Sequence, residues 1–338
     1  MAKIITIEEF LSMDRNIPVV DVRSPGEFDH AHIPGAYSLP LFNNLERADI
    51  GTLYKNSGKE IAVEKGLEYV GPKMKILVAE AKKLAKEKEI IVHCWRGGMR
   101  SGSMAWLLET AGLKVYLIKG GYKSYRQWIQ KQFKRQIPIL VIGGKTGSGK
   151  TEIIQELKAQ GYQTLDLEGM ANHRGSSFGH IGLPIQPSTE EFENTLGEEL
   201  FRLDFSKPIF VEDESRSIGR VYQPNDFYNQ LREAKVLFLD IPVEARIPHL
   251  VKVYGSYSKE ELGKSIDKIK KRLGGQWHQA AHEALEQGDL EEVVRIVLNY
   301  YDKAYLFGLS KRNQDNVIRI QINSLNQKEQ VQNILPYL

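Results

Sequence analysis

At 338 residues and 41% hydrophobic composition the chain can bury a sizeable core, and its length favours two domains over one. A formal charge of +3 is too weak to mark a nucleic-acid binder without local clustering, and one cysteine excludes an internal disulfide or a four-thiolate metal site. No apolar run approaches the roughly 18 residues that cross a bilayer, and "MAKIITIEEFLSMD" lacks the pattern of a signal peptide, so a cytoplasmic protein without membrane partners is expected.

The first part alternates element types. "IPVVDVR" reads as a strand, "KMKILVAEAKKLAKEKE" as an amphipathic helix, "IIVHC" as a strand, "SGSMAWLLETAGL" as a helix and "KVYLIKGGY" as a strand. Such alternation predicts a mainly parallel sheet covered by helices. A basic helical segment, "KSYRQWIQKQFKRQ", follows, and Pro138 interrupts before "IPILVIGG". The domain boundary is therefore expected between about Tyr125 and Pro138, giving domains 1–130 and 131–338. In the second α/β unit the strands are "ILVIGG", "QTLDLEG", "PIFVEDE" and "KVLFLDIP", separated by helices such as "TEIIQELKAQG" and "TEEFENTLGEELFRLD". From about 244 to 310 the pattern is helical, and a last strand, "NVIRIQIN", precedes a polar tail. No repeat or low-complexity segment interrupts this order.

The strand "IIVHC" delivers Cys94 into a loop holding Arg96, Gly97, Gly98 and Arg100, with a helix starting near Ser101. A thiol's pKa falls beside cations, at helix N-termini and among backbone amides, so these residues predict an anion cradle around a thiolate. His93 points to the other face of the strand and reads as structural. No second cysteine exists to resolve whatever Cys94 carries.

Gly144, Lys145, Thr146, Gly147, Ser148, Gly149, Lys150 and Thr151 form a complete G-x-x-x-x-G-K-T between an apolar strand and a helical pattern. Its amides can wrap a diphosphate, Lys150 can reach across it, and the Thr151 hydroxyl can ligate Mg2+. The motif leaves open whether ATP, GTP or another diphosphate binds. Glu212, Asp213 and Glu214 at one strand end, and Asp240 at another, are candidates for supporting the metal. "DLEGMANHRGSSFGHIGLP", with Asn172, His173, Arg174, Ser176 and Ser177, reads as a loop folding over an anionic ligand.

Upstream of the cysteine, Asp21, Arg23 and the "HIPGA" turn from His32 to Ala36 complete a resemblance to the rhodanese domain over about the first 125 residues. That resemblance implies a chalcogen-carrying Cys94, with Asp21 and Arg23 as structural ties. Ordinary sulfurtransferase loops resemble Cys-x4-Arg, whereas here five residues separate Cys94 from Arg100, a spacing shared with the cysteine phosphatases. Phosphatase chemistry is one alternative; a P-loop kinase with an appended rhodanese module is another.

With "HCWRGGMRSG", "GGKTGSGKT" and "LEGMANHRGSSFG" in one chain, nearly the full length resembles the bacterial tRNA 2-selenouridine synthases, whose cysteine loop has the five-residue spacing. The resemblance implies replacement of sulfur in wobble 2-thiouridine of the tRNA anticodon arm by selenium from selenophosphate. The route runs through an S-geranyl form made from geranyl diphosphate, and a selenophosphate-producing enzyme is the implied partner. On that reading the basic clusters become candidate tRNA contacts: Lys131, Lys134 and Arg135 with Trp128, and Lys270, Lys271 and Arg272 with Trp277.

Overall fold

A computed structural model describes residues 2–337. The chain divides into two compact units, one ending at Gln132 and the other starting at Phe133.

In the first unit, five short strands, β1 (Lys3–Ile5), β2 (Val19–Asp21), β3 (Tyr37–Ser38), β4 (Glu89–His93) and β5 (Lys114–Ile118), form one sheet in the order β1-β5-β4-β2-β3. Every pairing is parallel. β4 is central and apolar on both faces, as a strand covered by helices on both sides must be. Ile90 and Val92 pack on one side with Val20, Leu77, Met104 and Leu108. The helix Met99–Thr110 starts two residues earlier than expected.

The second unit has β6 (Ile139–Gly144), β7 (Gln163–Leu165), β8 (Ile209–Glu212), a separate antiparallel pair β9 (Ser217–Ile218) and β10 (Val221–Tyr222), then β11 (Lys235–Asp240) and β12 (Val317–Gln321). Its main sheet runs β12-β11-β6-β8-β7, again all parallel. β6 is the topological switch point: the next strands in sequence lie on one side and the later ones on the other, which opens a crevice beyond its carboxyl end. The predicted helical stretch is present as a run from Val243–Tyr254 to Leu290–Ser310 with its own core, in which Leu262 and Ile266 meet Ala281, Leu285 and Val297.

The sequence after β12 is not simply a polar tail. Residues Gln327–Ile334 form a helix, capped by Asn326, that buries Val331 and Ile334 against Ile153, Leu157 and Ile320. Among the described residues, no helix is long and apolar enough to cross a membrane.

Candidate functional sites: a buried thiolate and a phosphate loop

β4 stops at His93, and Cys94 is the first residue of the turn, almost fully buried. Its Sγ lies 3.2 Å from Ser101 Oγ and also receives the backbone amides of Ser101, Arg96 and Gly98. Burial works against ionisation, but these hydrogen bonds outweigh it and hold the thiol below its ordinary value. The turn needs glycine where it crosses the next one: a Cβ on Gly121 (φ +60°) would lie 2.2 Å from the Cys94 carbonyl oxygen and 2.6 Å from the Gly97 nitrogen.

The cradle therefore differs from the expected one in its cations. Arg100 donates to Glu27 Oε2 at 2.9 Å, and this ion pair holds the Glu27 carboxyl below its usual value even though partial burial opposes it. Arg96 contributes its amide to the sulfur while its side chain is exposed. Ser101, which the sequence marked only as a helix start, places its hydroxyl 3.2 Å from both the sulfur and the Gly98 carbonyl, and its hydrogen bond to the sulfur helps hold the thiol's pKa down. Trp95 in the turn and Met99 at the start of the following helix are both exposed.

The ties behind the turn are as expected. Arg23 grips Asp21 through Nε and Nη2 at 2.8 and 2.6 Å, donates to the Ala31 carbonyl at 2.7 Å, and lies over the Tyr122 ring at 3.9 Å. His93 is fully buried with neither ring nitrogen hydrogen-bonded, and burial pushes its pKa down to about 4. That burial favours its neutral form, as a structural histidine requires.

In the second unit β6 runs straight into the phosphate loop. Gly149 (φ +77°) occupies a left-handed conformation that β-branched or bulky residues resist, and it caps the helix Lys150–Ala159. Lys150 Nζ bonds the Gly144 carbonyl at 3.1 Å, spanning the loop from its last turn to its first. The Gly144 amide donates to Tyr305 Oη (2.9 Å), which donates in turn to Asp213 Oδ2 (2.9 Å). Lys145 pairs with Asp240 at 2.8 Å, and the buried Arg246 ties the Thr146 carbonyl (2.9 Å) to Asp302. Gln330, from the helix after β12, donates to the Ser148 carbonyl.

These contacts give two of the metal candidates other partners, although Asp213 still lines the cleft over the loop. Asp213 is an ion-pair partner of the buried Arg312, and Asp240 is held by Lys145 and Gln321, so both anchor the loop. The carboxylate that reaches Thr151 belongs to Glu168, which accepts from its Oγ1 at 2.8 Å. Glu212, wholly buried, accepts the Glu168 amide at 2.9 Å, and its other oxygen has no partner. A Cβ on Gly175 would lie 2.7 Å from Glu214 Oε2 and 3.1 Å from Glu168 Oε1, so the two carboxylates converge on one point. Burial, then the charge of Glu168, raises both Glu212 and Glu214 well above the usual carboxylate range. Such a set of oxygens fits a hard divalent cation, which would relieve both the repulsion and the desolvation.

The cleft over the loop has a volume of about 660 Å³ and includes Asn172, Arg174 and Ser176 from the predicted ligand loop. His173 and Ser177 are absent from its walls: His173 is buried against His180, and Ser177 bonds Tyr301 Oη. Next to the cleft runs a narrow apolar slot lined by Leu250, Val251, Val293, Val294, Val297 and Leu298. Thr146, Ser176, Leu250, Tyr254 and Tyr301 line both, so the slot opens directly beside the phosphate loop.

Of the residues expected to meet tRNA, Lys131, Lys134, Arg135, Lys270, Lys271 and Arg272 are exposed. Trp277 is 49% exposed, but Trp128 is only 8% exposed and cannot offer a face to a base. Trp128 shares the inward stripe of its helix with Tyr125 and Ile129, a helical periodicity that marks it as core.

A cysteine cradle on one parallel sheet and a G-x-x-x-x-G-K-T loop at the switch point of another define a rhodanese domain followed by a P-loop domain. Residues 6–128 match the rhodanese-like domain family, and residues 137–333 match the family described as tRNA 2-selenouridine synthase AAA domain. The tRNA 2-selenouridine synthase of Nitrosomonas europaea is 34% identical over 87% of this chain and 90% of its own. Those of Bdellovibrio bacteriovorus and Shewanella frigidimarina are each 35% identical, over 88% and 90% of this chain and 90% and 91% of theirs. The chain belongs to the tRNA 2-selenouridine synthase family.

Proposed function

We propose that the protein converts wobble 2-thiouridine in the anticodon arm of tRNA to 2-selenouridine, through S-geranyl-2-thiouridine, using geranyl diphosphate and then selenophosphate. The observation that supports the geranyl step is the apolar slot beside the phosphate loop, about 50 Å³ as it stands and continuous with the 660 Å³ cleft, so that a prenyl tail would start in the slot and widen it or continue into the cleft. A prenyl diphosphate has the matching division, an anionic head for Gly144 to Thr151 and an aliphatic tail for Leu250, Val293 and Val297.

Within this reading the loop amides and Lys150 bind the diphosphate and stabilise it as it leaves, when its negative charge grows. Thr151, Glu168 and Glu214 would hold Mg2+, which supplies further charge neutralisation. Tyr305, Arg246 and Lys145 keep the loop open by satisfying its own amide and carbonyls or fixing it to β11. Geranylation turns the thiouridine sulfur into a thiol that can depart.

The second step uses Cys94. Its thiolate attacks the phosphorus of selenophosphate, forming an S–P bond as the P–Se bond breaks and selenide leaves, with the amides of Arg96, Gly98 and Ser101 holding the anion; water then hydrolyses the S–P bond and releases phosphate. Trp95 and Met99 offer the uridine an apolar surface beside the sulfur. The selenide released beside Cys94 adds at C2 of the S-geranyl nucleoside and the geranyl thiol leaves, a redox-neutral exchange that needs no resolving cysteine. A selenophosphate-producing enzyme is the source of the donor, and the setting is the cytoplasm.

The test is mass spectrometry of wobble nucleosides after 2-thiouridine tRNA meets geranyl diphosphate, then selenophosphate. Wild type should give a geranyl mass gain followed by the selenium product. Lys150→Ala should lose the first step, whereas Cys94→Ser should keep the first and lose the second. Normal geranylation by Lys150→Ala, or normal selenation by Cys94→Ser, overturns the assignment of that site.

A further inference from the structure

A third group of chemistry-bearing side chains lies outside both sites. Helix Gly275–Gln287 carries His278 and His282 one turn apart, so both rings project from the same face. Helix Lys259–Lys268 carries Asp267 opposite them. His278 Nε2 lies 2.7 Å and His282 Nε2 3.0 Å from the same oxygen, Asp267 Oδ1. The three ligand-type atoms all fall within 4.8 Å of one another, the only such group among the described residues.

The spacing of the two helices is fixed from their other faces. Leu262, Ile266 and Ile269 of one side and Ala281, Ala284 and Leu285 of the other are buried in a common core. The three ligands thus sit at the rim of a packed helix pair, where neither backbone has to move to bring them together. The neighbouring lysines have other partners: Lys264 bonds Glu260 at 2.6 Å, and Lys268 lies 3.3 Å from His180 Nε2.

We infer that Asp267, His278 and His282 bind a zinc-class divalent cation. Two imidazole nitrogens and one carboxylate oxygen are a donor set suited to Zn2+, with a fourth position left for water. At about 2.0–2.2 Å from a tetrahedral ion, neighbouring ligand atoms stand roughly 3.3–3.5 Å apart. The observed 2.7 and 3.0 Å contacts need to open by only about half an ångström, which the exposed Asp267 side chain can supply by rotation. On binding, each Nε2 lone pair goes to the metal, and any proton there moves to Nδ1 or is released to solvent. The ion would staple the two helices beside the exposed basic turn Lys270–Leu273.

Titration of the untagged full-length protein with Co2+, followed by visible absorption and displacement with Zn2+, tests the site in the presence of excess Mg2+. One saturable equivalent is expected, without a thiolate charge-transfer band and unchanged in Cys94→Ser. The His278→Ala/His282→Ala double variant should lose it, and Asp267→Asn should weaken it by more than about tenfold, the lower end of what losing even a group behind a ligand costs. Zn2+ should raise the melting temperature of wild type and leave that of the double variant unchanged. Wild type that takes up no Co2+ or Zn2+ overturns the inference, and so does a double variant that binds as wild type does.

Discussion

Replacing Ser101 with Ala removes one donor from the Cys94 sulfur and leaves its burial unchanged. A hydrogen bond to a charged group contributes about 1.5–3 kcal/mol, and sulfur, a weak acceptor, belongs at the lower end. About 1.4 kcal/mol is one pKa unit, so the Cys94 pKa should rise by about one. The sign follows from the reactive form: the depressed pKa keeps thiolate present at lower pH, and raising it removes thiolate there, about tenfold at a fixed pH below both values. A more basic thiolate is also intrinsically more nucleophilic, by about threefold per unit. The variant should thus react about threefold more slowly than wild type below the pKa and about threefold faster well above it. Because Cys94 is the only cysteine, the rate of reaction with an aromatic disulfide reagent across pH reports this thiol alone. Ser103→Ala, whose hydroxyl bonds only the Met99 and Arg100 carbonyls, is the control on the same helix. Superimposable profiles for Ser101→Ala and wild type would refute the view that Ser101 holds the thiolate.

Filling the slot with Val297→Phe should raise KM for geranyl diphosphate while inorganic pyrophosphate still binds normally; equal losses for both ligands would remove the slot from the site. Arg312→Leu removes the nearest cation from the buried Asp213 and leaves it the Tyr305 hydroxyl and the more distant Arg232, so a loss of about 1.5–3 kcal/mol, that of a hydrogen bond to a charged group, is expected in denaturant unfolding. Reversing Lys270, Lys271 and Arg272 to Glu should weaken tRNA binding and flatten its dependence on log salt by about two, roughly 0.7–0.9 for each lost phosphate contact. Unchanged affinity and slope would place the tRNA elsewhere.

Local chemistry was legible and distant partnership was not. The phosphate loop and the cysteine turn each lie within one stretch of sequence, where glycine positions and flanking strand and helix patterns disclose the backbone. Asp213 and Asp240 looked like metal supports because strand-end carboxylates commonly are, but their partners, Arg312 and Lys145, lie 99 and 95 residues away. Glu168 stood in the quoted ligand loop, yet nothing in the sequence showed its carboxylate reaching Thr151 across 17 residues of helix and strand. Arg100 drew its expected role from the spacing to Cys94, whereas Glu27, 73 residues upstream, sets where it points. Two misplacements had a signal available: the inward stripe around Trp128, and the i, i+3 pair of Val331 and Ile334 in the supposed polar tail.

The Gln330 contact has a bearing on synthesis. The rhodanese unit is contiguous and can close as soon as residues to about 132 leave the ribosome. The phosphate loop emerges next but has no complete wall until residues 317–334 have followed, because β12 and the helix Gln327–Ile334 arrive last. While the second unit is being made, a finished thiol cradle would already have left the ribosome, so Cys94 of a nascent chain could react before its phosphate loop could hold a ligand.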